Sequence, residues 1–364
     1  MSRYVVFLGA GASASEGAPL QRDLLKSYFL DHRDRGAHRE FAHEVIQFFR
    51  LVFAVDVLNL EARTLLPTFE EVLGLIDLAT MRGEALRGVP LNGPDGVLSL
   101  SSVRRGLVLL MADAIRRRVP AQPVVHSQLL RNLRAGDRLT RTVFVTTNYD
   151  TLLDDAIEDE ALAQAERGPG SIVDYGFGEL QDRGRIPGRE TRSFALYKVH
   201  GSLNWLHCPV CTDLYVTHGA DIVAMLLDDP PRARCTQCGT MRQPVIVPPT
   251  LYKVLSNVYL AVVWNRTARA LRDCVDLVFC GYSLADADMH VKYLLKAAQL
   301  NRSAATDPLR ITLVNSYSTK LEPDSQQDLE RYARFFGSDA VSDARLSFED
   351  FAGDPGAILG RPRQ

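Results

Sequence analysis

The chain has 364 residues, of which 46% are hydrophobic and 24% charged, and its formal net charge is −2. This length and composition are typical of a globular protein with one large domain or two moderate ones. Because the net charge is close to zero, nothing draws the whole chain to nucleic acid or to an anionic membrane. We therefore expect no direct nucleic-acid binding.

The sequence also predicts a cytoplasmic protein without a membrane span. No stretch approaches the ~18 uninterrupted apolar residues of a transmembrane helix. The apolar run at residues 4–8 is too short for the core of a signal peptide. In the cytoplasm, paired cysteines indicate metal binding more often than disulfides.

Five apolar runs predict buried strands of a parallel sheet, because such strands are apolar on both faces. They are residues 4–8, 142–145, 194–199, 275–280 and 310–314. Each run ends in a polar or glycine-rich motif, and ligands bind at the carboxyl edge of open α/β sheets. Between about 20 and 140, apolar residues at helical spacing predict several helices. The tail from about 338 is rich in Gly, Asp and Pro and is expected to be peripheral.

The first strand ends in the glycine loop Gly9-Ala10-Gly11-Ala12-Ser13. Glycines between a strand and a helix let backbone N–H groups approach a pyrophosphate, although a tight turn without a ligand is the alternative. A dehydrogenase would have a second strand ending in an acidic residue about 20 residues later. Asp31 is near that spacing but lies in a helical, charge-rich stretch. The loop therefore argues against a hydride-transferring enzyme.

Two further polar motifs follow the second and third strands. They are Thr146-Thr147-Asn148-Tyr149-Asp150 and His200-Gly201. A neutral imidazole suits the removal of a proton from a hydroxyl or from water. The alternative for Asn148 and Asp150 is an Asx turn or helix N-cap, since a helix is predicted directly after them. A single histidine at a strand end is also often structural.

Four of the six cysteines form two CxxC pairs, Cys208 with Cys211 and Cys235 with Cys238. Tandem CxxC pairs supply four thiolates to a tetrahedral Zn²⁺, and redox dithiols are the alternative. Four thiolates leave no open coordination position, so the zinc would be structural. We interpret Cys274 and Cys280 as small hydrophobic residues.

The last two strands end in Gly281-Tyr282-Ser283-Leu284 and in Asn315. In this order, the motifs together resemble the sirtuin family, which breaks the bond between nicotinamide and ribose in NAD. The resemblance implies a Rossmann-like α/β domain at about 1–335, containing a helical insertion at about 23–140 and a zinc module at about 206–242. Residues 336–364 would form the C-terminal tail.

The resemblance also assigns roles to individual residues. Asn148 would hold a water or the ribose, Asp150 would contact the nicotinamide amide or orient its loop, and His200 would be the catalytic histidine. NAD would be contacted by residues of the glycine loop and the strand ends, namely Gly9, Ala10, Gly11, Ser13, Pro19, Thr147, Gly281, Ser283 and Asn315. The chain departs from the family pattern at Thr147, at Tyr282 and at Leu20-Gln21-Arg22.

Two features favour NAD hydrolysis over deacylation. Deacylating sirtuins hold an acyl-lysine peptide as a strand, and Pro248-Pro249 stand where backbone donors would pair with it. The insertion is longer than in typical deacylases. It contains the segment Pro67-Thr68-Phe69-Glu70-Glu71-Val72-Leu73, which resembles a pattern of the bacterial defence-associated branch, whose members hydrolyse NAD to nicotinamide and ADP-ribose.

We therefore predict an NAD glycohydrolase that acts in antiviral, abortive-infection defence. Because unrestrained NAD loss would kill the host, its activity should be gated by homo-oligomerisation, by a partner ATPase or nuclease encoded nearby, or by a phage trigger. The alternatives are an NAD-dependent protein-lysine deacylase and a non-catalytic subunit that senses NAD or ADP-ribose.

Overall fold

A computed structural model describes most of the chain. The described residues are 4–20, 23–33, 42–61, 64–94, 96–163, 172–177, 193–217, 226, 231–247, 257–286, 288–303, 308–315 and 322–360. Pro248-Pro249 and Gln21-Arg22, which the sequence analysis singled out, lie outside these residues.

The described strands form two sheets. In chain order they are β1 (Tyr4–Leu8), β2 (Thr142–Thr146), β3 (Val173–Asp174), β4 (Phe194–Lys198), β5 (Gly201–His207), β6 (Leu214–Val216), β7 (Gln243–Ile246), β8 (Asp276–Cys280), β9 (Arg310–Val314) and β10 (Val341–Asp343). Within the described residues, seven strands form a parallel sheet in the order β10-β9-β8-β1-β2-β4-β3. Strands β5, β6 and β7 form a small antiparallel sheet.

The helices lie between the strands and after them. They are α1 (Ala10–Ala14), α2 (Leu24–Arg33), α3 (Ala42–Phe48), α4 (Phe69–Arg82), α5 (Leu100–Arg116), α6 (Val125–Ala135), α7 (Leu152–Ala163), α8 (Val258–Asp273), α9 (Met289–Leu300), α10 (Glu322–Phe336) and α11 (Phe348–Gly353). Of the helices in the described ranges, none is long and apolar enough to cross a membrane.

The predicted α/β fold class is confirmed, and each of the five predicted strands forms. Every residue of β1, β2 and β8 is buried, which explains why their sequences are continuously apolar instead of alternating. Strand β1 pairs with β2 and β8 in level register, so that Leu8 lies opposite Thr146 on one side and Cys280 on the other. The motifs that follow these three strands therefore leave the sheet at the same edge.

The predicted helical insertion between β1 and β2 forms a second hydrophobic core. Helices α2, α3 and α4 all pack against α5, and the core they share includes the fully buried aromatic residues Tyr28, Phe29 and Phe48. The same core includes Tyr149, which follows β2 at the carboxyl edge of the large sheet, and Leu203 of β5, whose N–H donates to the carbonyl of Tyr149. The insertion is thus packed against the edge where the polar motifs meet.

The C-terminal segment is part of the fold, and the prediction of a peripheral tail is wrong. Strand β10 pairs in parallel with β9 and extends the large sheet. Helix α11 packs against α6, and its residues Phe348 and Phe351 are buried in the sheet core together with Leu359. The Gly, Asp and Pro residues that suggested a loose tail belong to caps and turns, such as Asp354 at the N-cap of a 3₁₀ turn.

Truncating Phe351 tests whether the C-terminal segment is structural. Because its side chain is fully buried, Phe351→Ala should lower the free energy of unfolding by about 3–5 kcal/mol, measured by urea denaturation. Glu349→Ala changes an exposed residue of the same helix and should cost less than about 1 kcal/mol. Equal stability of the two variants would contradict this packing.

Candidate active site

The loops after β1 and β8 are hydrogen-bonded to each other through their backbones. The N–H of Gly9 donates to the carbonyl of Cys280, and the N–H of Gly11 donates to that of Gly281, each at 2.9 Å. Gly281 has a φ of +63°, and a Cβ there would lie 2.2 Å from the nitrogen of Ala12. Only glycine fits this position. Since the N–H groups of Gly9 and Gly11 already donate to these carbonyls, a bound pyrophosphate would accept hydrogen bonds from other N–H groups of the loop.

Asn148 ties the loop after β2 to the glycine loop. Its Nδ2 donates to the carbonyl of Gly9 and to the Oγ of Ser13, each at 2.8 Å. Because a carbonyl only accepts hydrogen bonds, the contact with Gly9 fixes which end of the amide faces the loop. With both amide protons used, Oδ1 is the atom of this side chain that can accept a hydrogen bond from a water or a hydroxyl.

A cleft opens between the carboxyl edge of the large sheet and the helical insertion. Its walls bring together six of the predicted site residues, namely Ala10, Ser13, Pro19, Thr147, Asn148 and Asp150. The facing wall comes from the insertion and includes Phe69, Glu70, Met111 and Ile115. Gly9, Gly11, His200, Gly281, Ser283 and Asn315 do not line this cleft.

Asp150 lies on the cleft wall and also makes a local hydrogen bond to the start of the next helix. Its Oδ1 accepts a hydrogen bond from the N–H of Leu152 at 3.2 Å, two residues later, which is an Asx turn just before α7. The residue also lines the cleft and is nearly buried. Its backbone carbonyl accepts a hydrogen bond from the Nζ of Lys198 at 2.5 Å. This bond fixes the end of the Thr146–Asp150 motif to β4.

Lys198 belongs to a buried polar network that the sequence did not reveal. Its Nζ lies 2.9 Å from Oδ2 of Asp154, and the hydroxyl of Tyr175 donates to Oδ1 of Asp154 at 2.5 Å. The Nδ2 of Asn204 is 3.1 Å from the Tyr175 hydroxyl. Lys198 ends β4 and Asp154 lies in α7, so the network joins β4 to the helix that follows Asp150. The only sequence signal was a lysine inside an apolar strand.

His200 is completely buried, and Nε2 of its ring lies 3.5 Å from Oδ1 of Asp288. The other carboxylate oxygen of Asp288 accepts a hydrogen bond from Tyr282 at 3.0 Å. Asp288 precedes α9 but makes no side-chain cap; its carboxylate instead faces the imidazole of His200. The sequence analysis missed Asp288, whose one signal was an acidic residue between a strand-end loop and a helix.

The glycine after His200 has a steric reason. Gly201 has a φ of +85°, and a Cβ there would lie 1.9 Å from the carbonyl oxygen of Val245. This close approach lets the chain turn from β4 into β5 beside β7. The His-Gly pair therefore places the imidazole at the junction of the two sheets.

Glu70 is a second acidic residue that the site contains and that the sequence analysis did not assign to it. It lies in the first turn of α4, and its side chain is almost fully buried. Burial raises the pKa of Glu70 to about 7, and the negative charges of Asp288 and Glu71 add to this rise. Because its neighbours in the helix, Phe69 and Val72, are apolar and buried, the sequence of this segment is typical of a core-facing helix. It therefore gave no indication that Glu70 lies at the site.

The four paired cysteines come together as predicted. Their sulfur atoms all lie within 4.8 Å of one another, and those of Cys208 and Cys238 are 3.5 Å apart. Tetrahedral zinc with Zn–S bonds of about 2.3 Å needs sulfurs roughly 3.8 Å apart. The sulfur of Cys238 also lies 3.2 Å from the hydroxyl of Thr240. The donor set therefore fits a structural zinc.

The cysteine cluster caps the small antiparallel sheet. Cys208 and Cys211 follow β5, and Cys235 and Cys238 precede β7. A metal there would fasten the two loops that connect these strands. Cys274 and Cys280 are both buried in the core of the large sheet, in agreement with their interpretation as small hydrophobic residues.

Comparisons with known proteins find one family and a set of solved structures. The family model described as SIR2-like domain matches residues 142–335. Sir2Tm bound to a propionylated peptide is 15% identical, with 96% of this chain and 90% of that chain covered and a TM-score of 0.40. A Sir2 complex with p53 peptide and NAD⁺ is 14% identical, with coverage of 96% and 90% and a TM-score of 0.39. No curated protein sequence matches the chain.

The cysteine cluster predicts a measurable metal content. We expect the purified protein to carry one zinc ion per chain, and Cys235→Ser to lose it, because one of four ligands is removed. The substitution should lower the Tm by about 5 °C or more. Metal content would be measured by mass spectrometry, with Cys274→Ala as the control that keeps its zinc. A zinc-free protein with a disulfide between these cysteines would support redox dithiols instead.

The raised pKa of Glu70 predicts a pH-dependent stability. The folded state holds this proton more tightly than the unfolded chain, so the stabilising contribution present below about pH 4.5 is lost as the pH rises through about 7. Relative to the wild type, Glu70→Gln should therefore gain about 2–3 kcal/mol in free energy of unfolding between pH 5 and pH 8. Urea denaturation at both pH values measures it. Glu84→Gln, which changes an exposed acidic residue beyond the end of α4, should show no such gain.

Proposed function

Because the chain belongs to the SIR2-like family, we propose that it is an NAD glycohydrolase that releases nicotinamide and ADP-ribose. Family membership supports an NAD-using activity in general. The choice of water as the acceptor is supported by one observation: the wall that faces Asn148 across the cleft is supplied by the helical insertion, through residues such as Phe69 and Met111. A cleft walled in this way suits a small acceptor better than an extended peptide.

The reaction is a glycosyl transfer to water. The bond between the ribose carbon and the nicotinamide nitrogen breaks, and its electron pair goes to the nitrogen of the leaving ring. The water oxygen forms the new bond to carbon and loses a proton. Positive charge builds up on the ribose in the transition state, as in other glycoside hydrolyses. The protein must therefore position the water and accept a proton.

The proposed roles of the motif residues are those that the family resemblance implies. Oδ1 of Asn148 would accept a hydrogen bond from the attacking water or a ribose hydroxyl and position it against the ribose carbon. His200, oriented by Asp288, would accept a proton from the ribose or the water. Asp150 would contact the nicotinamide amide or hold its loop. These roles are supported by the fixed amide of Asn148 and by the His200–Asp288 contact.

The remaining predicted residues would hold the rest of NAD. Ala10, Ser13, Pro19 and Thr147 line the cleft and would contact the ribose and the neighbouring phosphates. The residues at the other strand ends, Gly9, Gly11, Gly281, Ser283 and Asn315, would form the phosphate and adenosine side of the site. The Nδ2 of Asn315 donates to the carbonyl of Tyr282 at 2.9 Å, and this contact between two strand-end loops supports the proposal.

We also propose that the activity serves antiviral defence and is gated. The gate would be a homo-oligomer or a partner ATPase or nuclease encoded nearby, acting through the insertion. Support comes from the segment 67–73, which forms the start of α4 on the cleft wall. A gate acting on this helix would change the cleft directly.

The proposal is tested by following nicotinamide and ADP-ribose from NAD without any acyl peptide, alone and with the product of the neighbouring gene. Asn148→Ala and His200→Ala should each lower the rate by about 100-fold or more, because each removes a group that positions or deprotonates a reactant. Asn301→Ala and His43→Ala, which change exposed residues away from the cleft, should keep full activity.

Two other outcomes would replace this function. Nicotinamide release that requires an acyl-lysine peptide would identify a deacylase. Tight NAD binding without turnover, under every condition and with the partner present, would identify a sensing subunit.

A further inference from the structure

The insertion places one carboxylate on the wall of the cleft at a well-defined position. Helix α4 begins with a capping box, in which the N–H of Glu71 donates to Thr68 at 3.2 Å and the N–H of Thr68 donates to Glu71 at 2.7 Å. Phe69 and Val72 are buried on either side of Glu70. The capping box therefore fixes the backbone of the first turn of the helix, which carries Glu70.

The surroundings of Glu70 suit a proton acceptor. It lines the cleft that also contains Asn148 and Asp150. Its charge interacts with those of Asp288 and Glu71, and with Tyr149 between the two motif residues. A carboxyl that changes protonation near neutral pH is the acid–base group that operates best there, since its pKa matches the working pH. Glu70 has that property because of its burial.

The other candidates for this role are less suitable. His200 is fully buried, with its ring 6.2 Å from that of Tyr149, and it does not line the cleft. Asp150 also lines the cleft, but its Oδ1 accepts a hydrogen bond from the N–H of Leu152, which ties this side chain to the start of α7. Among the acidic and histidine side chains on the described cleft walls, Glu70 is thus the better base.

We propose that Glu70 is the general base for the attacking water. The inference rests on the proposed NAD hydrolysis and adds a residue to it. As the water oxygen bonds to the ribose carbon and the carbon–nitrogen bond breaks, the carboxylate of Glu70 takes the water proton. The electron pair of the broken bond leaves with nicotinamide. The water is held by Asn148, and Glu70 replaces His200 as the acceptor of the water proton.

Steady-state kinetics of Glu70→Gln test the assignment, because glutamine keeps the shape of the side chain and cannot take the proton. We expect kcat to fall by about 100-fold or more with KM within about threefold of the wild type. In the wild type, kcat should rise with pH through a value near that at which Glu70 ionises, and this limb should be absent from the variant. Glu84→Gln, which changes an exposed acidic residue beyond the end of α4, should keep both constants and the limb.

Two measurements keep the outcome unambiguous. Urea denaturation establishes that Glu70→Gln is folded, and calorimetric titration with NAD establishes that it still binds. A variant with unchanged kcat and raised KM would overturn the assignment, because the carboxylate would then only attract the cationic nicotinamide ring. An unchanged pH profile would overturn it as well.

The failure of this inference differs from that of the proposed function. Full activity of Glu70→Gln, with loss of activity in Asn148→Ala, would reject Glu70 as the base and leave the glycohydrolase in place. Wild-type protein that releases no nicotinamide from NAD under any condition would reject both.

Discussion

The site depends on the close backbone contact between the loops after β1 and β8. Two N–H···O hydrogen bonds at 2.9 Å join them, and the contact leaves no room for a side chain at Gly281. Because β1 lies in level register between β2 and β8, the same contact fixes where α1 begins and where Asn148 meets it. The amide of Asn148 then closes the arrangement through Gly9 and Ser13. A shift in any one of the three loops would break hydrogen bonds in the other two.

Much of this arrangement could be predicted, because buried parallel strands have a direct sequence signature. The five apolar runs became strands, and the glycines and polar residues that follow them lie at one edge. The four cysteines were predictable for a similar reason, since their spacing alone defines a ligand set. In both cases the signal is local in sequence and needs no knowledge of which loops meet.

The parts that could not be predicted depend on contacts between distant segments. Nothing near Asp288 indicates that its carboxylate faces His200, and nothing near Lys198 indicates Asp154 as its partner. Glu70 follows Phe69, which is buried in the core of the insertion. The position of Glu70 on the cleft wall depends on how the insertion packs against the sheet, which the local sequence does not indicate. The prediction of a peripheral C-terminal tail was wrong because it used the average composition of the segment. A few apolar residues, among them Phe348 and Phe351, are enough to pack the segment into the core.

The cleft lies where two hydrophobic cores meet, and Tyr149 connects them. Its neighbours Asn148 and Asp150 belong to the sheet edge, yet its own ring is packed in the core of the insertion. Its hydroxyl donates to the carbonyl of Val247, which directly follows β7 of the small antiparallel sheet, at 3.2 Å. A change in how the insertion packs would therefore reach the motif through one side chain, and would move Glu70 at the same time. A partner or oligomer contact that shifts the insertion would act on the site directly, because the helices of the insertion already form one side of the cleft.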